Sequence, residues 1–180
     1  MRNAINLLDK IISKFRKEQP QMGLPEEIFH FVSRSTPIVN VDLLIKDEDN
    51  RVLLAWRDDE FAGSGWHVPG GIVRFKETIV DRLKLVSELE IGSPIEYQDV
   101  PLCVEEVILE HDTRGHFVSF LYACKVPNDF VLNNNNSFYG NFNFMNEGEV
   151  GHLQWHDNCP DNLVPVQTMY ISHIKDKQWN

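Results

Sequence analysis

Long apolar runs are missing from these 180 residues; none approaches the roughly 18 that a membrane span needs. Positive charge is in deficit too, with 17 Lys and Arg against 27 Asp and Glu, a formal charge of −10. A field of that sign repels phosphate polymers and acidic lipid surfaces, so neither nucleic acid nor a membrane is expected as partner. Cysteine is scarce: Cys103, Cys124 and Cys159 form an odd set with no C-x-x-C pair. A disulfide framework and a zinc ribbon are therefore both a poor fit, and the expectation is reduced thiols in a cytoplasmic protein. No secretory pattern is seen, because Asp9 and Lys10 interrupt the apolar Leu7-Leu8. No internal repeat is present.

What is there suffices for one folded domain. Apolar residues make up 42% of the chain and aromatic residues 11%, too much for disorder throughout. Ile5, Leu8, Ile12 and Phe15 recur at helical spacing with Lys10, Lys14, Arg16 and Lys17 between them, an amphipathic helix over residues 1–19 that ends before Pro20. A basic amphipathic helix can lie on a membrane. Packing on its own domain or on a twin subunit is the favoured alternative, because the rest of the chain is acidic. Residues 19–25 read as a linker.

Residues 20–180 read as one domain. Short strands are expected at 38–45 and 52–56, separated by the turn Asp47-Glu48-Asp49-Asn50. The small residues at 62–65 read as a loop, and Gly70-Gly71 as a sharp break. The spacing predicts a helix over 78–90, stopped by Gly92 and Pro94. Strands follow near 102–110 and 117–125, and a last helix over 166–174. An Asn-rich, aromatic-rich insertion around 133–148 is too long for an ordinary connection, and reads as a lid, a hairpin or a disordered loop. Such a mixture makes an α/β (α+β) layered domain.

One residue breaks the pattern of the central helix. Projected at roughly 100° per residue, Ile79, Leu83 and Val86 form one stripe, and the next member of the series is Glu90. A carboxylate there must be hydrogen-bonded, neutralised or metal-bound, or else bend out to solvent near the helix end. Ahead of it, Trp66-His67-Val68-Pro69-Gly70-Gly71 brings a strand to two glycines. Glycine permits a positive φ that can turn a carbonyl toward an ion. A carbonyl and a carboxylate are the hard oxygen pair that Mg²⁺ accepts, with water and substrate phosphate completing its shell.

Gly71-x5-Glu77, a seven-residue spacer and Glu90-Ile91-Gly92 resemble the Nudix box, G-x5-E-x7-R-E-U-x-E-E-x-G-U. Leu85 stands in place of its arginine, and Val86 and Leu89 in place of two glutamates. A narrower resemblance is to the GDP-mannose mannosyl hydrolases, which also lack two of those glutamates. It runs from Ser33-Arg34-Ser35-Thr36-Pro37 through Asp42, Arg57, Trp66 and Pro69-Gly70-Gly71 to Glu90-Ile91-Gly92, within residues 24–125, and resumes near Trp155.

That resemblance implies a Nudix-like α/β/α sandwich with a mixed β-sheet, one Mg²⁺ and a nucleoside-diphosphate sugar as substrate. It also implies hydrolysis by water attack at the anomeric carbon, releasing the nucleoside diphosphate, and a homodimer. Carried over by position, the Gly70 carbonyl and Glu90 are metal ligands, Arg57 binds the diphosphate, and Asp42 is a substrate-site residue. Ile72 and Leu85 replace two of the family's arginines, with Arg74 the nearest substitute. Glu149 and Val150 stand where the family has a Gln-His pair; Glu149 can be the third ligand. The general base then comes from Glu149, from His152 or from the insertion. With Arg57 as the remaining cation beside one Mg²⁺, a slow or differently specific enzyme is expected. The alternatives are a Nudix-fold binding module that has lost its chemistry, and ordinary diphosphate cleavage at phosphorus.

Other residues read more plainly. Glu105, Glu106 and Glu110 are expected as solvated strand glutamates, Trp66 as core and His67 as packing beside the turn. His111 and His116 bracket a tight connection. Arg34 is either a substrate contact across a dimer or a structural ion pair.

Overall fold

The computed structural model describes residues 2–18, 24–134 and 149–177. Helix α1 spans Arg2–Glu18 and α2 spans Glu26–Ser33. Strands β1 (Ile38–Ile45), β2 (Val52–Asp59), β3 (Gly63–His67) and β4 (Gly70–Ile72) follow. Helix α3 (Ile79–Val86) continues into a π-helical turn, Ser87–Ile91. Strands β5 (Glu96–Tyr97), β6 (Cys103–Ile108), β7 (His116–Lys125) and β8 (Leu153–His156) precede a 3₁₀ helix, Pro165–Tyr170, that runs into α4, Ile171–Lys175.

Two sheets form. The larger is mixed: β1 pairs parallel with β7 and antiparallel with β4, while β5 and β6 both pair antiparallel with β7. The smaller is antiparallel, ordered β3-β2-β8. Val41, Leu43, Leu44 and Ile45 are all fully buried, a continuous run that signals a strand covered on both faces. Odd positions Val41, Leu43 and Ile45 pack with Leu83, Val86 and Ile91 of the α3 segment. Leu44 turns to the other side, toward Trp66, Leu163, Tyr170 and Ile174. The layers are helix, sheet, helix. The mixed α/β fold and the packing of α3 through Leu83 and Val86 are as expected.

Several elements differ from expectation. Helix α2 was not anticipated; its signals are Pro25 at the N-cap and Glu26 and Glu27 in the first turn, where a helix dipole favours acids. The 62–65 stretch is mostly strand. Asp59 Oδ1 accepts from the Phe61 and Ala62 N–H groups at 2.9 and 2.8 Å, so the reversal is complete before Gly63. The Gly70-Gly71 pair is not a break but strand β4, and neither glycine has a positive φ. They are needed for close approach: a Cβ on Gly70 would strike the Asp42 carboxylate, and one on Gly71 would lie 2.8 Å from Val86 Cγ2. The expected helix over 78–90 changes pitch after Val86, and its left-handed cap is Gly92 at φ 72. In α1, Leu8 and Ile12 are half-buried, whereas Ile5 is 61% exposed. The Phe15 side chain and residues 135–148 of the expected insertion lie outside the described residues.

Candidate functional site

A cavity of about 1150 Å³ opens beside β1 and β4, with walls that include Asp42, Arg57, His67, Gly70, Arg82 and Glu90. The edge strand β4 explains why a backbone carbonyl is available there. Leu43 N–H donates to the Pro69 carbonyl at 2.8 Å and Val73 N–H to the Val39 carbonyl at 2.9 Å. Since an antiparallel ladder alternates, Gly70 turns both its N–H and its C=O away from β1. Its N–H donates to the Glu90 carboxylate.

Glu90 reaches this strand because the π turn carries it there. Its Oε2 is shut off from solvent. Burial pushes the Glu90 carboxyl up to about 8, opposed by the neighbouring Arg57 and reinforced by Asp42. A carboxylate so placed gains from a cation beside it. Glu90 and the outward Gly70 carbonyl are hard oxygens and fit a Mg²⁺-like ion that keeps much of its shell as water or phosphate. Among the described residues, no group of three or more His, Cys, Asp and Glu converges as a metal site.

Asp42 serves differently. It is 3% exposed, and its Oδ1 accepts from Asn40 Nδ2 at 3.0 Å and Gln167 Nε2 at 3.3 Å. Its Oδ2 accepts from Tyr170 Oη at 2.8 Å and from the Ser119 hydroxyl. A carboxylate has about four acceptor positions, and these donors fill them. Burial raises the Asp42 pKa, while the hydrogen bonds from Ser119, Tyr170 and Asn40 oppose it. Gln167 is itself pinned, accepting from Val68 N–H at 2.7 Å and donating to the Val68 carbonyl at 3.1 Å. Asp42 thus ties β1 and β7 to the C-terminal 3₁₀ helix behind the cavity. His67 also lines the cavity; burial, with Arg57 adding to it, pushes its imidazole down to about 3, so it stands neutral.

Arg57 is not the lone cation. Its Nε pairs with Asp59 Oδ2 at 2.7 Å, and Arg74, Arg82 and Arg114 line the same cavity. Arg82 is 5% exposed, and its Nε and Nη2 both donate to Glu77 Oε2, at 2.9 and 2.7 Å. That oxygen also accepts from Arg74 N–H at 2.8 Å. The expectation of Arg57 alone beside the ion is therefore corrected. Arg82 and Arg114 were missed by reading motif positions one at a time. The available signal for Arg82 was its place next to the apolar stripe, one turn after Glu77.

Other expected residues fall elsewhere. Arg34 sits at the C-terminus of α2 and donates from Nε to Thr113 Oγ1 at 2.7 Å, outside the cavity lining. Glu149 is exposed ahead of β8 and does not line the cavity. His152 does not line it either; its ring packs 6.0 Å from Trp66. Trp66 is paired with Trp56 across the β2–β3 ladder, so His152 stands on the face of β2 opposite to Arg57. The structure thus brings together Gly70, Glu90, Arg57 and Asp42, and leaves Arg34, Glu149 and His152 apart. Glu106 is exposed and meets His116 Nε2 at 3.1 Å.

With this geometry in hand, comparison with solved structures identifies the architecture. A MutT NUDIX hydrolase from Burkholderia pseudomallei superposes with a TM-score of 0.55, 22% identity, and coverage of 76% of this chain and 97% of that one. A MutT protein from Methanosarcina mazei Go1 gives 0.53, 17% identity, and 77% and 94% coverage. The fold is that of the Nudix hydrolases. No family model matches the chain. The low-salt glycan biosynthesis protein Agl8 of Haloferax volcanii is 37% identical over a 116-residue alignment that covers 62% of this chain and 74% of that protein. The chain belongs to the family of that protein.

Proposed function

We propose that the protein is a Mg²⁺-dependent hydrolase of a nucleoside-diphosphate sugar, GDP-mannose-like in class, releasing the nucleoside diphosphate and free sugar. The observation that carries this reading is the meeting of Glu90 with the outward edge of Gly70 in a cavity lined by arginines. Glu90 and the Gly70 carbonyl hold the cation, which supplies positive charge to the diphosphate when bound. Arg57 and Arg74 add to that charge, and a leaving diphosphate is stabilised by fixed cations in a partly dry site. Kinship with a protein named for glycan biosynthesis supports a sugar-bearing substrate. Glu149 and His152, the sequence candidates for third ligand and base, stand outside the cavity lining and carry no role in this reading. The protein is proposed to be cytoplasmic and to act as a homodimer.

A second reading is a nucleotide-binding module without turnover. It is favoured by the apolar Ile72, Leu85, Val86, Leu89 and Val150 where the family resemblance calls for charged or titratable residues. A panel of nucleotide sugars incubated with Mg²⁺ separates the readings. Sugar plus nucleoside diphosphate is the expected product pair. Sugar phosphate plus nucleoside monophosphate means attack at phosphorus, and no product means the binding module. Glu90→Gln keeps the shape and removes the charge, so it is expected to weaken Mg²⁺ binding and abolish Mg²⁺-dependent turnover. Normal metal binding and turnover in that variant would place the metal elsewhere.

A further inference from the structure

Arg114 is a residue of the cavity wall that combines a strained backbone with a buried donor lacking a hydrogen-bond partner among the described residues. It sits in the connection between β6 and β7 with φ 57, a left-handed backbone that a long side chain seldom adopts. Two ties to α2 hold it there: Arg114 N–H donates to Ser33 Oγ at 3.3 Å, and Arg34 Nε to the adjacent Thr113 Oγ1 at 2.7 Å. Its guanidinium lies 4.6 Å from the Phe61 ring centroid and 5.9 Å from that of Phe29. Stacking of this kind fixes the guanidinium plane and leaves its N–H groups pointing outward from the edge. Arg114 Nε is buried and has no hydrogen-bond partner, and among the described residues the group makes no ion pair.

A strained backbone, a stacked guanidinium and a buried donor left without a hydrogen bond among the described residues together describe a group prepared for an acceptor from outside them. The nature of that acceptor follows from the neighbourhood. Arg57 lines the same cavity; burial and the Arg57 charge push the Arg114 pKa down, opposed by the nearby Asp59 and Glu60. Asp59 is already engaged, its Oδ2 by Arg57 Nε and its Oδ1 by the Phe61 and Ala62 N–H groups. Two guanidinium groups that share one committed carboxylate still gain from a further anion placed within reach of both. A neutral base edge satisfies a donor but does not relieve the repulsion.

We propose that Arg114 is a second diphosphate-binding residue, acting with Arg57 on a nucleoside diphosphate group and supplying positive charge in place of the arginines absent at positions 72 and 85. The assignment rests on the proposed function and names a residue of the same site. The role of Arg34 then becomes a positioning one, since it holds the connection that carries Arg114.

Calorimetric titration with Mg²⁺-pyrophosphate and with GDP, ADP and UDP, each against its nucleoside, tests this on the full chain. For Arg114→Met, affinity for pyrophosphate and for the diphosphates is expected to fall about ten-fold or more, as for loss of a charge-assisted contact, with nucleoside affinity unchanged. Arg114→Gly relieves the positive φ, so it is expected to melt no lower than the unchanged protein while losing the same affinity; it also serves if the Met variant fails to fold. Unchanged diphosphate affinity in both variants, with a loss in Arg57→Met, overturns the Arg114 assignment alone. A fall in nucleoside affinity with pyrophosphate unaffected makes Arg114 a base contact and also overturns it. An unchanged protein that binds neither pyrophosphate nor any of the diphosphates overturns the proposed function itself.

Discussion

At the scale of single residues, the cavity wall is a set of groups whose ordinary preferences are overridden by enclosure. His67 shows the consequence for stability. It is 5% exposed, its ring is held at the Ala55 carbonyl, and burial lowers it from 6.5 to about 3. The folded chain therefore binds fewer protons than the unfolded chain between these values, so stability is fully present above about pH 6.5 and is lost as pH falls toward 3. Between pH 7 and pH 5 the loss from this one group is expected to be about 2 kcal/mol. Urea unfolding at the two pH values, on the unchanged protein and on His67→Gln, checks it. Equal pH dependence in the two proteins would remove His67 as the cause. Gly70 is the other decisive residue here: with Asp42 packed where a Cβ would stand, only glycine lets β4 lie this close to β1.

Among the elements, the α3 segment joins stability at one end to the site at the other. Thr78 caps it: Asp81 N–H donates to Thr78 Oγ1 at 3.0 Å, and Thr78 N–H returns to Asp81 Oδ2 at 3.2 Å. Thr78→Ala is expected to cost about 1 kcal/mol of folding stability with Mg²⁺ affinity unchanged, because Glu90 lies beyond the last α-helical turn. Thermal melting and metal titration of the same variant read the two effects separately; a loss of metal affinity as large as that of Glu90→Gln would show that the cap and the site are coupled. The far end is closed by Gly92 N–H donating to the Ser87 carbonyl at 2.9 Å, the wide spacing of a π turn. A constant projection angle finds Glu90 on the inner face but cannot show the widened turn, because the extra residue per turn is set by what packs around it.

For the molecule as a whole, α1 is the part least explained by the cavity. It carries five basic and two acidic residues in a chain of net charge −10, and its Ile5 and Leu7 are 61% and 60% exposed. A homodimer in which this helix covers apolar surface is the proposed arrangement. Removal of residues 1–19 is then expected to lower the melting temperature or to dissociate a dimer, read by calorimetry and by light scattering after size exclusion. A truncated chain that keeps both properties and loses liposome binding would assign the helix to a membrane surface instead.

Legibility divides along the same scales. Strand β1 was read from the sequence to its end residues, because a run such as Ile38–Ile45 has to be covered on both faces whatever surrounds it. The α3 stripe and the anomaly at Glu90 were equally plain, since periodicity is a local signal along the chain. Helix α2 was less so: eight residues provide barely two turns of pattern. Gly70 and Gly71 stand out in the sequence, but what requires glycine there is close approach between elements and not the backbone curvature expected, because a neighbour across a sheet leaves no mark on that stretch of sequence. The sequence by itself determined the layered α/β class and placed Asp42, Arg57, Gly70 and Glu90 together through a family resemblance. The saturation of Asp42, the four arginines on one cavity and the displacement of His152 to the opposite face depend on contacts between residues up to 128 positions apart. Such contacts are settled when sheets and helices pack around one core, where burial and charge act through space rather than along the chain.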